Sequence, residues 1–245
     1  MRVVVLGDIH SNLVALDAVL AHAEQGGPID QLWVLGDLVG YGPRPNECIA
    51  RLKEYEHLAV AGNHDKAAIG QITTADFNPY AAAAASWTAE TISPDSSTYL
   101  TRLPEVTKDD VFTMVHGTLR DPIWEYLYTE EIAAEHLKRQ STSYSFVGHT
   151  HVPMVVHESR GRPPLSMAHL EHGDTIALDE ERLVINPGSA GQPRDGDPRV
   201  CYGILDLGAA TFSQFRIDYD IVETQKQMKD EGLPQYLIER LARGR

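Results

Sequence analysis

Cysteine is nearly absent from this chain: two residues in 245, Cys48 and Cys201, far apart and outside any Cys-x-x-Cys pair. The start, Met1 to Asp8, has too short an apolar block for a secretory signal, so both are read as reduced thiols of a cytoplasmic protein. Basic residues are also scarce, with 21 Lys and Arg against 35 Asp and Glu, a formal charge of −14. That balance excludes broad binding to nucleic-acid backbone or an anionic membrane. A small anionic substrate stays open, because bound divalent ions reverse the local field. No run of 18 apolar residues is present, so no membrane-spanning helix is expected. Internal repeats are absent.

What is present is an ordinary globular mixture, 42% apolar and 23% charged, long enough to bury a sizeable core. Val3-Val4-Val5-Leu6 reads as a strand buried on both faces. Ser11 and Asn12 are good N-caps for a helix whose Leu13, Leu16, Leu20 and Ala23 fall at helical spacing, and Gly26-Gly27-Pro28 ends it. Leu32-Trp33-Val34-Leu35 and Leu58-Ala59-Val60 repeat the buried-strand pattern around a second helix. This alternation predicts an α/β fold, a parallel or mixed sheet covered by helices. Residues 66–104 break the rhythm and are predicted as a helical cap or insert within a single domain spanning 1–245. Short strands from Met154 to Ile217 predict a second, largely antiparallel sheet packed on the first. Residues 220–242 are predicted as terminal helices.

The polar residues fall in a telling place. Asp8 and His10, Asp37, and Asn63 with His64 each follow the carboxyl end of a predicted strand, the edge where ligands bind open α/β sheets. His116-Gly117 follows another strand. Gly148-His149-Thr150-His151 sets two imidazoles two positions apart. On extended backbone they project to one side roughly 6–7 Å apart, which suits one nitrogen on each of two neighbouring metal ions better than two on one.

Taken in order, Asp8-x-His10, Gly36-Asp37, Gly62-Asn63-His64-Asp65, His116-Gly117 and Gly148-His149-x-His151 resemble the five motifs of the calcineurin-like metallophosphoesterase superfamily. The resemblance covers residues 1 to about 206. With Gly40-Tyr41-Gly42-Pro43 and Asn186-Pro187-Gly188-Ser189 it looks like the small bacterial and archaeal phosphoesterase branch. It implies two packed mixed sheets flanked by helices, a four-layer αββα sandwich. It also implies Asp8, His10 and His151 on one metal ion, Asn63, His116 and His149 on the other, and Asp37 bridging both. Such donors suit Mn, Fe, Zn or Ni. Two ions roughly 3.5–4 Å apart activate a water for in-line attack at phosphorus. The resemblance makes His64 the general acid, with Asp65 expected to orient it or stabilise its charge.

Arginine suits a substrate phosphate, and Arg194, Arg120 and Arg44 are the candidates, against surface ion pairs with adjacent acids such as Asp195 or Asp121. Trp124, Tyr126 and Tyr128 are read as packing a loop rather than as a base-stacking lip. His22, His57, His136, His157, His169 and His172 are read as surface or packing residues. The functional expectation is a phosphodiesterase acting on a small nucleotide-like substrate. A phosphomonoesterase (a protein or nucleotide phosphatase) is the alternative within the class. A non-catalytic scaffold, like the retromer subunit that shares this fold, is the alternative outside it; every ligand position and His64 being present argues against it.

Overall fold

The computed structural model describes residues 1–158, 165–179 and 182–245. The chain begins β1 (Arg2–Leu6), α1 (Leu13–Gln25), β2 (Gln31–Val34), α2 (Pro45–Leu52), β3 (His57–Ala59), α3 (Asn63–Ala68). Helices α4 (Pro79–Thr91) and α5 (Pro94–Thr101) precede β4 (Val106–Lys108), β5 (Phe112–Val115), α6 (Glu130–Arg139) and β6 (Tyr144–Phe146). There follow β7 (Pro153–Glu158), β8 (Leu165–His169), β9 (Thr175–Ala177), β10 (Arg182–Pro187), β11 (Val200–Asp206) and β12 (Thr211–Ile217). Helices α7 (Ile221–Asp230) and α8 (Gln235–Leu241) close the chain.

Two six-stranded sheets result, ordered β3-β2-β1-β11-β12-β9 and β4-β5-β6-β10-β7-β8. Both are mixed: β1 pairs parallel to β2 but antiparallel to β11, and β10 pairs parallel to β6 but antiparallel to β7. The prediction of a separate antiparallel sheet from the late strands is therefore corrected. Strands β9, β11 and β12 join the first sheet, while β5 and β6 enter the second as a parallel pair.

The period of two along β1 decides the layering. Val3 and Val5 face the second sheet and pack with Trp33, Met114, Phe146 and Ile185. Val4 and Leu6 face the helices and pack with Leu16 and Leu20 of α1 and with Ile49 and Leu52 of α2. On the far side, Ala133 and Leu137 of α6 cover Val156 and Val184 of the second sheet. Both faces of each central strand are thus buried, which is why β1 is a continuous apolar run. In α4, capped by Asn78 and opened by Pro79, the small Ala81 and Ala84 pack against Met228, Leu237 and Leu241 of the two terminal helices.

Loops leaving the strands are knitted together at one edge. His10 N–H donates to the Asp37 carbonyl at 2.9 Å, Gly148 N–H to the His116 carbonyl at 2.9 Å, and Ala190 N–H to the Gly7 carbonyl at 2.8 Å. That edge holds the polar residues of the five motifs.

Candidate metal centre

Backbone geometry marks this edge before any side chain is considered. Asp8, His10, Ser11, Asp37, Tyr41, His149 and His151 all take a positive φ, between 49° and 65°, and among the described residues only Ala210 is another non-glycine to do so. Each such conformation costs about 1–3 kcal/mol and persists where the surroundings enforce it, typically at functional sites. The expectation of extended backbone through Gly148-His149-Thr150-His151 is therefore overturned. With His149 and His151 both left-handed, the segment turns, and the two imidazoles enter different clusters.

One cluster joins donor atoms of Asp8, His10, Asp37 and His151, the other those of Asp37, His116 and His149, with the atoms of each lying within 4.8 Å of one another. Asp37 belongs to both. Its Oδ2 lies 3.6 Å from His10 Nε2 and 3.4 Å from His116 Nε2, and its Oδ1 accepts the His64 N–H at 2.9 Å. His10 Nε2 and His151 Nε2 are 3.1 Å apart; His116 Nε2 lies 2.9 Å from His149 Nδ1 and 3.3 Å from Asn63 Oδ1. All seven side chains are buried.

Second contacts fix the imidazoles. The outward nitrogens of His10, His116, His149 and His151 each meet a main-chain carbonyl, those of Val39 (3.1 Å), Leu35 (2.8 Å), Trp124 (3.2 Å) and Gln192 (2.5 Å) respectively. A carbonyl only accepts, so the ring proton sits on the outer nitrogen and the inner one turns a lone pair into the cluster. Asp8 Oδ1 accepts the His149 N–H at 3.0 Å, while the buried Oδ2 has no partner. Burial pushes the Asp8 and Asp37 carboxyls up to about 7 and holds His10, His149 and His151 below the usual imidazole range. Converging lone pairs and an orphaned carboxylate oxygen, all buried, are groups that a bound cation would satisfy. The donor set of imidazole, carboxylate and amide oxygen fits a divalent transition metal.

An open cleft of about 100 Å³ adjoins the clusters, lined by His64 and Arg194 as well as Asp37, Asn63, His149 and His151. His64 is buried, and its Nδ1 has no partner. Its ring passes so close to Gly40 that a Cβ there would lie 2.5 Å from Nδ1. Gly62 is needed likewise, since its Cβ would meet Asp37 Oδ1 at 2.1 Å. Burial, then the Arg194 charge, hold the His64 imidazole below its ordinary range.

Asp65 is placed otherwise than expected. One helical position beyond His64, its side chain diverges from the imidazole, and its carboxylate accepts the Gly62 N–H (2.9 Å) and the Val39 N–H (3.1 Å). It caps α3 and ties that helix to the loop after β2. Arg194 lies over the Tyr41 ring at 5.6 Å; its Nε is buried without a partner, and Asp195, its expected counter-ion, pairs with Arg216. Arg120 pairs with Glu125 at 2.9 Å and Arg44 with Glu231 at 3.1 Å, and the cleft lining includes neither.

Three aromatic positions depart from the sequence expectation. Trp124 and Tyr126 line the cleft, and Tyr126 stacks on the His149 ring at 3.7 Å. Tyr126 and Tyr128 are 37% and 55% exposed, so the loop leaves part of each ring open beside the cleft. Phe77, from the segment before α4, also lines the cleft, 4.7 Å from the His64 ring. Tyr41 fills the space between His64 (4.3 Å) and His10 (4.7 Å). The Gly40-Tyr41-Gly42 triplet is the sequence signal for Tyr41; Phe77 carries none. Of the remaining histidines, His136 is buried and hydrogen-bonded to Ser145, and His22 packs on Tyr202.

A family model, the calcineurin-like phosphoesterase superfamily domain, matches residues 1–210. The chain belongs to that superfamily. As a calcineurin-like phosphoesterase it is 43% identical to a metallophosphoesterase from Sphaerobacter thermophilus of known structure, with a TM-score of 0.91 over 100% of this chain and 99% of that one. It is 36% identical over 252 residues to an uncharacterized protein of Methanocaldococcus jannaschii, covering 99% of this chain and 98% of that protein. A shorter match, 40% over 67 residues, is to a symmetrical bis(5'-nucleosyl)-tetraphosphatase of Psychromonas ingrahamii, spanning 26% of this chain and 24% of that enzyme. Family and relatives make this phosphoesterase a hydrolase of phosphoric esters, and its buried His and Asp cluster points to divalent metal binding. Among the described residues no helix is long and apolar enough to cross a membrane.

Proposed function

We propose that this phosphoesterase holds two divalent ions and hydrolyses a phosphodiester bond in a small nucleotide-like molecule. The observation that carries the reading is Asp37, whose carboxylate belongs to both donor clusters. Asp8, His10 and His151 would hold one ion and Asn63, His116 and His149 the other, with Asp37 between them. Mn, Fe, Zn and Ni all match these donors. When bound, two such ions generate a nucleophile at neutral pH and clamp the attacking and leaving oxygens of an in-line displacement.

The chain's own residues supply the rest. Arg194, without a carboxylate partner among the described residues, is available to a non-bridging phosphate oxygen. His64, whose ring lines the cleft, delivers a proton to the leaving oxygen. Asp65 acts as a positioning residue for the helix that carries His64. The tetraphosphatase match supports a small nucleotide as substrate.

A metal-supplemented panel of small phosphate diesters and monoesters tests this. Turnover of diesters should exceed that of matched monoesters by at least about tenfold, with His64→Ala slowing both by about 10²–10⁴. A monoester preference would overturn the diester assignment. No hydrolysis of either would overturn the enzyme mechanism.

A further inference from the structure

A second cavity, about 240 Å³, lies beside the candidate metal centre. Tyr128, Val152, Met154, Met167 and Ala168 line it with mainly apolar surface, and Glu130 and His169 add polar groups to the lining. Val152 directly follows His151 in the chain, so the cavity starts one residue from the donor cluster. An aromatic stack joins it to the cleft: Tyr128 lies on Tyr126 with ring centroids 5.3 Å apart and planes 9° apart, and Tyr126 lies on His149 at 3.7 Å and 13°.

What sets this stack apart from the exposed Tyr80–Tyr236 pair is that it runs onto His149 of the donor clusters. A tyrosine pair left 37% and 55% exposed beside a catalytic cleft leaves flat apolar surface in water that a ligand would cover. Arg194 lies near enough for the phenols of Tyr126 and Tyr128 and the carboxylate of Asp8 to act on its charge. From the donor clusters outward the order is therefore phosphate-binding donors, a guanidinium, then aromatic and thioether surface with polar groups in its lining. A nucleotide has the same order: phosphate, sugar, then a planar base with polar edges. Methionine sulfur and tyrosine faces both favour such a base.

We propose that this cavity is a nucleobase subsite: the base of a nucleotide lies against Tyr128 between Val152, Met154 and Met167, while its phosphate lies across the Asp37 clusters under Arg194. The subsite rests on the phosphoesterase reading and adds to it the residues that select a nucleotide over other phosphate esters. Glu130 and His169 are placed to meet the polar edge of the base.

Calorimetric titration of the Mn²⁺-loaded protein with adenosine monophosphate, and with ribose 5-phosphate as its base-free counterpart, tests the proposal. The nucleotide should bind about tenfold tighter, the effect of one base stacked on one aromatic ring. Tyr128→Ala removes the stacking surface, and His169→Trp fills the cavity from an exposed position on the edge strand β8, on the same face as Met154 and Met167. Each should bring the two affinities together. Equal affinities in the unsubstituted protein, or a preference that survives both substitutions, would overturn the subsite. If neither ligand binds while a simple diester is still hydrolysed, the subsite falls and the phosphoesterase reading stands. If neither binds and no ester is hydrolysed, both fall.

Discussion

The Nε2 atoms of His10 and His151 face each other at 3.1 Å, and neither ring has a proton to place between them. Each ring directs its Nδ1 to a main-chain carbonyl, Val39 for His10 and Gln192 for His151. Two neutral imidazoles packed for stability alone would pair donor to acceptor. Here two lone pairs meet, beside the unpartnered Oδ2 of Asp8. A cation resolves the contact, and the first prediction rests on that. Adding a divalent ion at a hundredfold excess over its dissociation constant should stabilise the fold by about 3 kcal/mol. For a chain of this size that raises the melting temperature by about 5–10 °C. Scanning calorimetry with and without a chelator checks it; an unchanged transition would mean that the lone pairs face something other than a metal.

His64 and Asp37 separate turnover from metal binding. His64→Ala should leave the ion content unchanged and lower kcat by about 10²–10⁴, the usual worth of a positioned proton donor. Asp37→Ala should lose ions and activity together, because the lost carboxylate belongs to both clusters. Elemental analysis beside steady-state kinetics reads both. A His64→Ala protein with full turnover would remove His64 from the mechanism.

Asp65 predicts a different split. Its carboxylate satisfies the buried amides of Gly62 and Val39, so Asp65→Ala should cost about 1–3 kcal/mol of stability. Because those amides position α3 and the loop after β2, kcat should fall while the ion count is kept. Asp65→Asn, which retains an acceptor, should recover part of both. Urea unfolding together with kcat measures this; an Asp65→Ala protein as stable as the parent would show that the amides find other partners.

His136 gives the fold a pH dependence away from the site. Its Nδ1 accepts the Leu119 N–H and its Nε2 donates to Ser145 Oγ, a neutral imidazole held in place. Burial, with Arg182 adding to it, lowers it from 6.5 to about 4. Between those values the unfolded chain binds a proton that the folded chain refuses. The contribution is therefore complete above about 6.5 and is lost as pH falls toward about 4, by up to about 3 kcal/mol. His136→Gln should lower the dependence of unfolding free energy on pH in that window by about one proton. An identical slope in both proteins would contradict it.

Much of this is legible in the sequence, for reasons that differ residue by residue. Val3-Val4-Val5-Leu6 announces a strand buried on both faces, and the residues just past the end of such a strand in an α/β sheet lie on its ligand edge. Hence Asp8, Asp37 and Asn63 group together although far apart in the chain. Sheet membership is not legible. Strand β11 is apolar on both faces wherever it pairs, so its pairing with β1 is decided by tertiary packing. The left-handed backbone of His149 and His151 stays hidden because nothing in a His-x-His triplet distinguishes a turn from a strand. Asp65 is misplaced by sequence because adjacency in the chain does not mean adjacency of side chains on a helix. Tyr126 and Tyr128 read as packing residues because aromatic side chains usually are buried, whereas these remain open beside the cleft.

The central claim is that one carboxylate, Asp37, joins two ions into a single phosphoester-cleaving centre. Titrating metal-free protein with a divalent ion while following diester hydrolysis tests it most directly. Activity should stay low through the first equivalent and reach its plateau at two ions per chain. A plateau at one equivalent, or no hydrolysis at any loading, would contradict the account.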